Sequence, residues 1–176
     1  KKNHPARFAL VELENIFDEA LLFEPIHRVF FSLSKQAFED KLKDTAKGFT
    51  KEKATDLEDI KARINTPGQH FGYIDGSSYE VYTMEEPKSS TAAGTLQSVI
   101  DAVLSDKLAE IDYIHGMDVT EELGKKPGNI GIILPEVSKE TFFESILRDR
   151  AFPRKTFSMG EADDKRFYIE ARKITL

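Results

Sequence analysis

The sequence predicts an α+β fold: a mixed α/β sheet with flanking helices and a βαβ-like alternation in the C-terminal third. Three observations lead to this prediction. Aromatic residues alternate on both sides of an Asp-Gly pair at 75–76, as is typical of a β-hairpin. Apolar residues recur at helical spacing over residues 96–104. From residue 111 onward, short apolar runs alternate with amphipathic stretches, which is the pattern of strands joined by helices.

The first half of the chain contains signals for one strand, two helices and the hairpin. Residues 7–14 are apolar at the start and place Glu12 and Glu14 on one face, which predicts a strand that is half exposed at one end. A helix is predicted to begin at Ser34, whose hydroxyl can cap its first turn, and to end at Gly48. A capping box at 55–58 predicts a shorter second helix. The hairpin occupies residues 70–85.

The last third predicts strands and helices in alternation. Strands are expected at 111–115, 129–134 and 165–174, with a brief helix capped by Asp118 and a longer helix at 138–148 between them. Such alternation favours crossover connections between neighbouring parallel strands. The inward face of the longer helix is predicted to hold Phe142, Phe143, Ile146 and Leu147.

Length and composition suggest a single domain. The chain has 176 residues, enough for one ordinary core, and residues 86–91 form the most linker-like stretch, which could divide two lobes. No apolar run is long enough to span a bilayer, so no membrane contact is expected. Cysteine is absent, which fits a cytoplasmic protein. The net charge of −6 disfavours binding to nucleic acid.

Several common chemistries have no sequence support. Without cysteine there is no thiolate nucleophile or zinc site, and no pair of histidines has metal-ligand spacing. Neither the P-loop pattern nor a Gly-x-Gly-x-x-Gly turn occurs. We therefore expect no metal and no cofactor.

A basic loop near the C-terminus is the first candidate site. Residues 150–173 carry seven basic and four acidic side chains, a local charge of +3 in an acidic chain. A small anion such as phosphate or a carboxylate could be bound there. The alternative is a solvated loop in which these cations pair with the acidic residues at 161–164. The candidate anion-binding residues in the loop are Arg154, Lys155, Thr156 and Ser158.

Two further segments place histidine or arginine in apolar surroundings. His27 and Arg28 lie within an apolar stretch, so a polar group must sit near buried surface and needs a partner. The arginine could bind an anion and the histidine could exchange protons; the alternative is a structural histidine beside an Arg28–Glu24 ion pair. His115 ends a predicted strand, where sites often form, although it could equally be a turn residue.

Long blocks of the sequence resemble the family known as domain of unknown function 1015. The blocks are HPARFALVELENIFDEALLFEPIHRVFF at 4–31, IDYIHG at 111–116, GIILP at 131–135, and FPRKTFSMGEADDKRFYIEARKI at 152–174. The resemblance covers essentially the whole chain and is densest at both ends. It includes the His-Arg pair and the Pro-Arg-Lys-Thr run.

The resemblance carries several implications. Full-length members are longer, with an N-terminal region likened to ParB-type domains and a Gly-Asn-His or Gly-His-His segment, so the chain is expected to match only their C-terminal portion. The family has no settled activity. Its association with serine biosynthesis genes, and the likeness of its N-terminal region to ParB-type serine kinases, imply a small phosphorylated metabolite as ligand.

Two classes of function remain open from the sequence. In the first, the chain is part of an enzyme for a small anionic metabolite. Arg154 and Lys155 neutralise the anion, Arg28 is a second clamp, and His27 or His115 carries a proton. In the second, the chain is a scaffolding or regulatory domain that packs on the N-terminal region of the parent protein.

Overall fold

The centre of the fold is an antiparallel sheet with helices on both faces. The computed structural model describes residues 4–9, 11, 13–76 and 78–159. The strands are β1 (Phe23–Pro25), β2 (His27–Phe31), β3 (Phe49–Ala54), β4 (His70–Ile74), β5 (Tyr79–Met84), β6 (Glu110–Ile114), β7 (Ile130–Ile133) and β8 (Phe157–Met159). The helices are α1 (Lys35–Thr45), α2 (Leu57–Ile64), α3 (Ala92–Ser105), α4 (Met117–Gly124) and α5 (Phe142–Asp149).

The strand order places β2 between two strands from the second half of the chain. In the described residues, six strands form one sheet in the order β3-β5-β4-β7-β2-β6, and β1 and β8 form a separate two-stranded ribbon. Every described pair is antiparallel. The predicted crossover from β6 through α4 to β7 exists, but the two strands are not neighbours, because β2 lies between them. The expectation of neighbouring parallel strands is therefore wrong.

The sheet buries a different core on each face. One core packs α1 and α3 against the sheet and includes Phe30, Phe38 and Ile100. The other packs α2 against the opposite face and includes Ile60 and Ile133. Since successive residues of a strand point to opposite faces, each central strand contributes to both cores. The mixed α/β architecture with flanking helices is as predicted.

Several predicted elements are confirmed in detail. Ser34 caps α1, its hydroxyl oxygen accepting a hydrogen bond from the backbone N–H of Ala37 at 3.2 Å. The aromatic hairpin is formed by β4 and β5 around the Asp75 turn. The apolar stripe predicted for the third helix is buried in α3, where Leu96 and Val99 are part of the larger core.

Other boundaries and caps differ from the predictions. α1 ends at Thr45 rather than Gly48. α2 is capped by Asp56, one residue after the predicted cap, and α4 is capped by Gly116 rather than Asp118. Near the start of α2 and of α4 more than one residue could act as the cap, and helix ends are in general defined only to within one or two residues.

The predicted strand at 7–14 is not found in its described residues. The chain instead forms a 3-10 turn at Pro5–Arg7 followed by irregular structure. Among its described side chains, Phe8, Val11 and Leu13 are 54%, 79% and 97% exposed, so these apolar positions face no core. An alternating pattern predicts a strand only where a neighbouring strand and a core are available.

The two short strands of the β1–β8 ribbon are not among the predicted elements, nor are two strands of the six-stranded sheet, whose sequences lack a regular alternation. β2 is buried on both faces although it contains a histidine and an arginine. β3 is mainly charged and exposed, and it forms at the sheet edge, where lysines protect against pairing with another chain. The strand predicted at 165–174 lies outside the described residues.

The outward face of α5 is a further correction. Phe142 packs against other aromatic rings, but Phe143 is 60% exposed and Leu147 is 83% exposed. Both had been predicted to face inward. The periodicity of α5 identifies an apolar face correctly, but it does not indicate what covers that face. No helix in the described part of the chain is long and apolar enough to cross a membrane.

Two glycines allow α4 to lie directly on the sheet. A methyl group on Gly124 would come 2.6 Å from the backbone nitrogen of Gly131, and one on Gly131 would come 2.8 Å from the carbonyl oxygen of Thr120. These distances involve backbone atoms, which cannot turn away as a flexible side chain can. The close approach fixes the position of α4 relative to β7.

We predict that Gly124→Ala lowers the free energy of unfolding by about 2 kcal/mol, because the added methyl group forces α4 away from β7. Urea denaturation followed by circular dichroism measures this change. The control is Val119→Ala, at an exposed position of the same helix, which should change stability by less than about 1 kcal/mol. Equal stability of Gly124→Ala and the unmodified chain would contradict the close packing.

Candidate functional site

An open cavity of about 490 Å³ lies beside the end of the sheet where β1 meets β2. Its walls come from β1, the start of β2, the last turn of α2, the start of α4 and the segment after β7. The polar and charged residues that line it are Glu24, His27, Lys61, Asn65, His115 and Glu136. The cavity therefore holds both predicted histidines, together with a lysine and two carboxylates.

His27 is held in one orientation by a backbone hydrogen bond. The side chain is only 2% exposed, and its Nδ1 accepts a hydrogen bond from the N–H of Leu134 at 3.1 Å. A ring that accepts at Nδ1 carries its proton on Nε2 when neutral. Burial, with smaller contributions from the charges of Arg28 and His115, lowers the pKa of His27 to about 4. Near neutral pH, His27 is thus a hydrogen-bond donor rather than a cation.

The N-terminus of α4 opens into the same cavity. Gly116 is the cap, with φ at +83°, a conformation that favours glycine, and no side chain caps the helix. Gly116 and Met117 line the cavity. The free N–H groups of a first helical turn, together with the helix dipole, attract anions. His115, which is exposed, immediately precedes this turn.

Two further residues shape the wall opposite α4. Lys61 lies in the last turn of α2, is exposed, and forms no ion pair within the described residues. Asn65 links α2 to the segment after β7, because its Oδ1 accepts from the N–H of Glu136 at 3.1 Å. Its Nδ2 donates to the carbonyl oxygen of Lys61 at 3.2 Å. This bridge fixes the distance between the lysine and the carboxylate-bearing segment.

Arg28 lies on the other face of β2. It is 0% exposed, and its Nη1 donates to the carbonyl oxygens of Ile26 at 2.5 Å and His27 at 3.2 Å. The guanidinium carbon lies 4.4 Å from the centre of the ring of Tyr113, the residue opposite Arg28 on β6. Burial lowers the pKa of Arg28 to about 10, with Tyr113 acting weakly in the opposite direction. It therefore remains charged at neutral pH.

The residues of the basic loop do not share one environment. Arg154 is exposed and lies 5.9 Å from the ring centre of Tyr113, on the same side of the sheet as Arg28. Lys155 is exposed with φ at +61°. Neither forms an ion pair with a carboxylate of the described residues. The acidic residues at 161–164, proposed as alternative partners, lie outside them.

The two hydroxyl residues of the loop have structural contacts. Thr156 is buried, and its Oγ1 donates to the carbonyl oxygen of Pro153 at 2.7 Å. Ser158 lies in β8 opposite Glu24 of β1. Thr156 lines a smaller pocket of about 130 Å³ rather than the larger cavity. Their role in anion binding stays a prediction.

The predicted site residues therefore fall into two groups. His27 and His115 line one cavity, whereas Arg28 and Arg154 lie around Tyr113 on the opposite face of the sheet. The division follows from the alternation of β2, which sends adjacent residues to opposite faces. The fold therefore does not bring all of these residues together in one site. The role of each residue remains a prediction.

Sequence reasoning missed three residues of these two groups. Lys61 was read only as part of a short helix, and Tyr113 only as part of a strand. Gly116 follows a strand and precedes a helix, which is a usable signal for a helix N-terminus at a site. Among the described residues, no group of three or more histidines and carboxylates is arranged to hold a metal ion.

The lowered pKa of His27 predicts a pH-dependent stability. The unfolded histidine titrates near its ordinary pKa of 6.5 and the folded one near 4, so stability is complete above about pH 6.5 and is lost as pH falls toward 4. We expect the protonation of His27 to lower the free energy of unfolding by about 2 kcal/mol between pH 7.5 and pH 5. Urea denaturation at both pH values measures the loss.

The matched variant for this measurement is His27→Asn. Its side-chain oxygen can accept from the N–H of Leu134, as Nδ1 does, but it does not titrate. The loss of stability between the two pH values should be smaller in this variant by about 2 kcal/mol. If the variant and the unmodified chain lose stability in parallel, His27 is not buried in its neutral form.

The fold is similar to that of several solved structures. A conserved hypothetical protein from Pyrococcus furiosus matches with a TM-score of 0.63 and 16% identity, over 86% of this chain and 61% of that chain. A free serine kinase in complex with AMP matches with a TM-score of 0.61 and 14% identity, over 85% and 58%. A mutant free serine kinase in complex with ADP matches with a TM-score of 0.62 and 15% identity, over 85% and 58%.

These likenesses establish the fold, since the identities are too low to transfer a function. This chain spans 61% of the length of the Pyrococcus protein and 58% of the kinase chains. No curated protein matches the sequence.

A family model described as "Protein of unknown function (DUF1015)" matches residues 1–103. The sequence blocks predict a resemblance over the whole chain, as the C-terminal portion of the family. The matched residues are instead the N-terminal part of this chain, and the blocks at 111–174 lie beyond them. Because the model matches more than half of the sequence, the chain belongs to the DUF1015 family of proteins of unknown function.

Proposed function

We propose that the chain binds a small phosphorylated metabolite in the cavity between β2 and α4, with the phosphoryl group at the N-terminus of α4. One observation carries this proposal: the glycine-capped start of α4 opens into the cavity beside His27, a buried donor. A phosphoryl group needs several donors that converge on one point. The first turn of α4 and the Nε2–H of His27 supply them without requiring a metal ion.

Charge around this point is consistent with an anionic group. Lys61 and His115 both line the cavity and are exposed, so they can approach a bound phosphoryl group without a desolvation cost of their own. Lys61 has no competing ion pair within the described part of the chain. A lysine contributes a mobile point charge, which suits a phosphoryl group held primarily by backbone N–H groups.

The two carboxylates narrow the class of ligand. Glu24 and Glu136 line the same cavity, so a ligand that carried only negative charge would be repelled from that part of the wall. A ligand with a phosphoryl group at one end and an ammonium or hydroxyl group at the other suits both the start of α4 and the wall that carries the two carboxylates. A phosphorylated amino acid has these features, and the serine-related expectation from the family resemblance is consistent with it.

The kinase structures of the same fold support a phosphate-related function. They are described as free serine kinases in complex with AMP or ADP. In the proposed site His27 donates a hydrogen bond and His115, being exposed to the cavity, is the residue that exchanges a proton with the ligand. The absence of cysteine and of a membrane-spanning helix among the described residues fits a cytoplasmic setting.

Isothermal titration with phosphoserine tests the proposal. Lys61→Ala and His115→Ala should each weaken binding roughly tenfold, since each removes one charged or hydrogen-bonding contact to the phosphoryl group. Lys43→Ala removes an exposed lysine of α1, a helix on the opposite face, and should leave the affinity unchanged. Absence of binding, or an equal loss in Lys43→Ala, would refute the proposal.

A second candidate function is favoured by the exposed face of α5. Phe143 and Leu147 lie on the surface of this helix, and Met159 of β8 is also exposed. Phe142 anchors the helix to Phe23 and Phe157. The solved structures of this fold are longer than this chain. We propose that the N-terminal region of the parent protein covers this face, in which case the chain serves as a scaffold for that region.

The substitution Leu147→Lys tests this second function. In the chain alone it should change the free energy of unfolding by less than about 0.5 kcal/mol, because the side chain is already in water. In a protein that carries this chain together with the N-terminal region, it should lower the melting temperature by several degrees. If hydrogen exchange in α5 is identical with and without that region, nothing covers this face and the scaffold function is wrong.

A further inference from the structure

We propose a second anion-binding site on the opposite face of the sheet, formed by Arg28, Tyr113 and Arg154 and specific for an oxyanion group, as found in carboxylates and phosphates. It is separate from the cavity beside α4, because Arg28 and His27 point to opposite sides of β2. It therefore does not depend on the function proposed above.

The unpaired donors of Arg28 lie along one edge of its guanidinium group. Nη1 is occupied by the carbonyl oxygens of Ile26 and His27, whereas Nε and Nη2 are buried and have no hydrogen-bond partner within residues 4–159 that the structure describes. The N–H bonds of Nε and Nη2 point in the same direction. This is the edge with which arginine binds two oxygens of one carboxylate or phosphate group.

Tyr113, whose ring packs against Arg28, adds a third unpaired donor. Its hydroxyl is also buried without a partner, and its ring lies against the guanidinium group of Arg28. Buried polar groups of native proteins are nearly always hydrogen-bonded, so two neighbouring side chains with orphaned donors point to a missing acceptor. An anionic acceptor is the type that satisfies N–H and O–H donors together.

The buried positive charge of Arg28 also favours a bound negative charge at this site. Arg28 is fully buried and has no carboxylate partner among the described residues, so its charge is uncompensated. An isolated buried charge is costly unless a counter-charge lies nearby. The cation–π contact with Tyr113 offsets only part of this cost.

Arg154 supplies a second positive charge. Its guanidinium carbon lies 5.9 Å from the ring centre of Tyr113, and the side chain is exposed. Because this long side chain is exposed and close to Tyr113, it can turn to place its positive charge beside an anion bound by Arg28. The ligand is a terminal oxyanion group, since Arg28 and the hydroxyl of Tyr113 are buried and leave no room for a bulky molecule.

Anion-dependent stabilisation tests the site. The melting temperature is measured in sodium phosphate, in sodium acetate and in sodium chloride at equal ionic strength. All proteins carry Lys61→Ala and His115→Ala, which weaken anion binding in the cavity beside α4. We expect phosphate or acetate to raise the melting temperature by several degrees relative to chloride. The comparison of the two salts distinguishes a phosphate site from a carboxylate site.

Three additional substitutions identify the residues responsible. Arg28→Met keeps a side chain of similar length without the charge, and it should abolish the anion-dependent shift while leaving stability in chloride unchanged or higher. Tyr113→Phe removes only the hydroxyl, and Arg154→Ala removes the outer charge; each should reduce the shift by at least half. Lys43→Ala should leave it intact.

Arginine Nε–H signals in a nitrogen-15 correlation spectrum provide a direct readout. The signal of Arg28, assigned as the one missing in Arg28→Met, should move on addition of the stabilising anion. If Arg28→Met does not fold, the anion-dependent shifts in melting temperature of Tyr113→Phe and Arg154→Ala test the proposal. The proposal is wrong if neither anion stabilises the protein carrying the two cavity substitutions, or if these variants keep the full shift. Loss of phosphoserine binding at the other cavity would leave this result unaffected.

Discussion

Successive side chains of β2 point to opposite faces of the sheet, and this alternation determines which polar groups lie on each face. β2 pairs with β6 on one side and β7 on the other, so its backbone hydrogen bonds are satisfied and its side chains have no freedom to change face. His27 must therefore point toward α2 and α4, and Arg28 toward α1 and α3. Two adjacent residues of the sequence thus belong to two separate polar environments.

The environment of His27 depends on backbone atoms more than on side chains. Its tautomer is set by the N–H of Leu134, and the start of α4 lines the same cavity. The position of α4 depends in turn on the close approach of Gly124 to Gly131. Such a site changes little when surface residues vary, because its geometry is fixed by secondary structure.

Much of the fold could be predicted because its signals are local. The β4–β5 hairpin depends on an Asp-Gly turn, α1 on Ser34, and α3 on an apolar stripe, and each of these can be recognised within one segment. The central position of β2 could not be predicted, because it depends on strands that follow it by about 80 to 100 residues. The strand predicted at 7–14 is the opposite case, in which a local signal was present but no strand formed. A strand-like sequence needs a partner strand with which to pair.

The candidate site was predictable in part for the same reason. His27 and Arg28 could be identified because polar residues within an apolar segment are unusual, and His115 because it ends a predicted strand. The division of these residues between two faces depends on the register of β2. That register cannot be read from the linear sequence. Lys61 and Tyr113 carried no signal, since a lysine on a helix and a tyrosine in a strand are ordinary at the level of sequence.

The hydrogen bond between Leu134 and His27 joins residues separated by 107 positions, and β1 with β8 closes a still larger part of the chain. Contacts of this kind have a high contact order, and their loop-closure entropy must be overcome before they stabilise anything. The hairpin and the helices can form early, whereas the cavity beside α4 is completed only when distant segments meet. Partly folded molecules are therefore expected to contain the hairpin and helices but not the completed cavity.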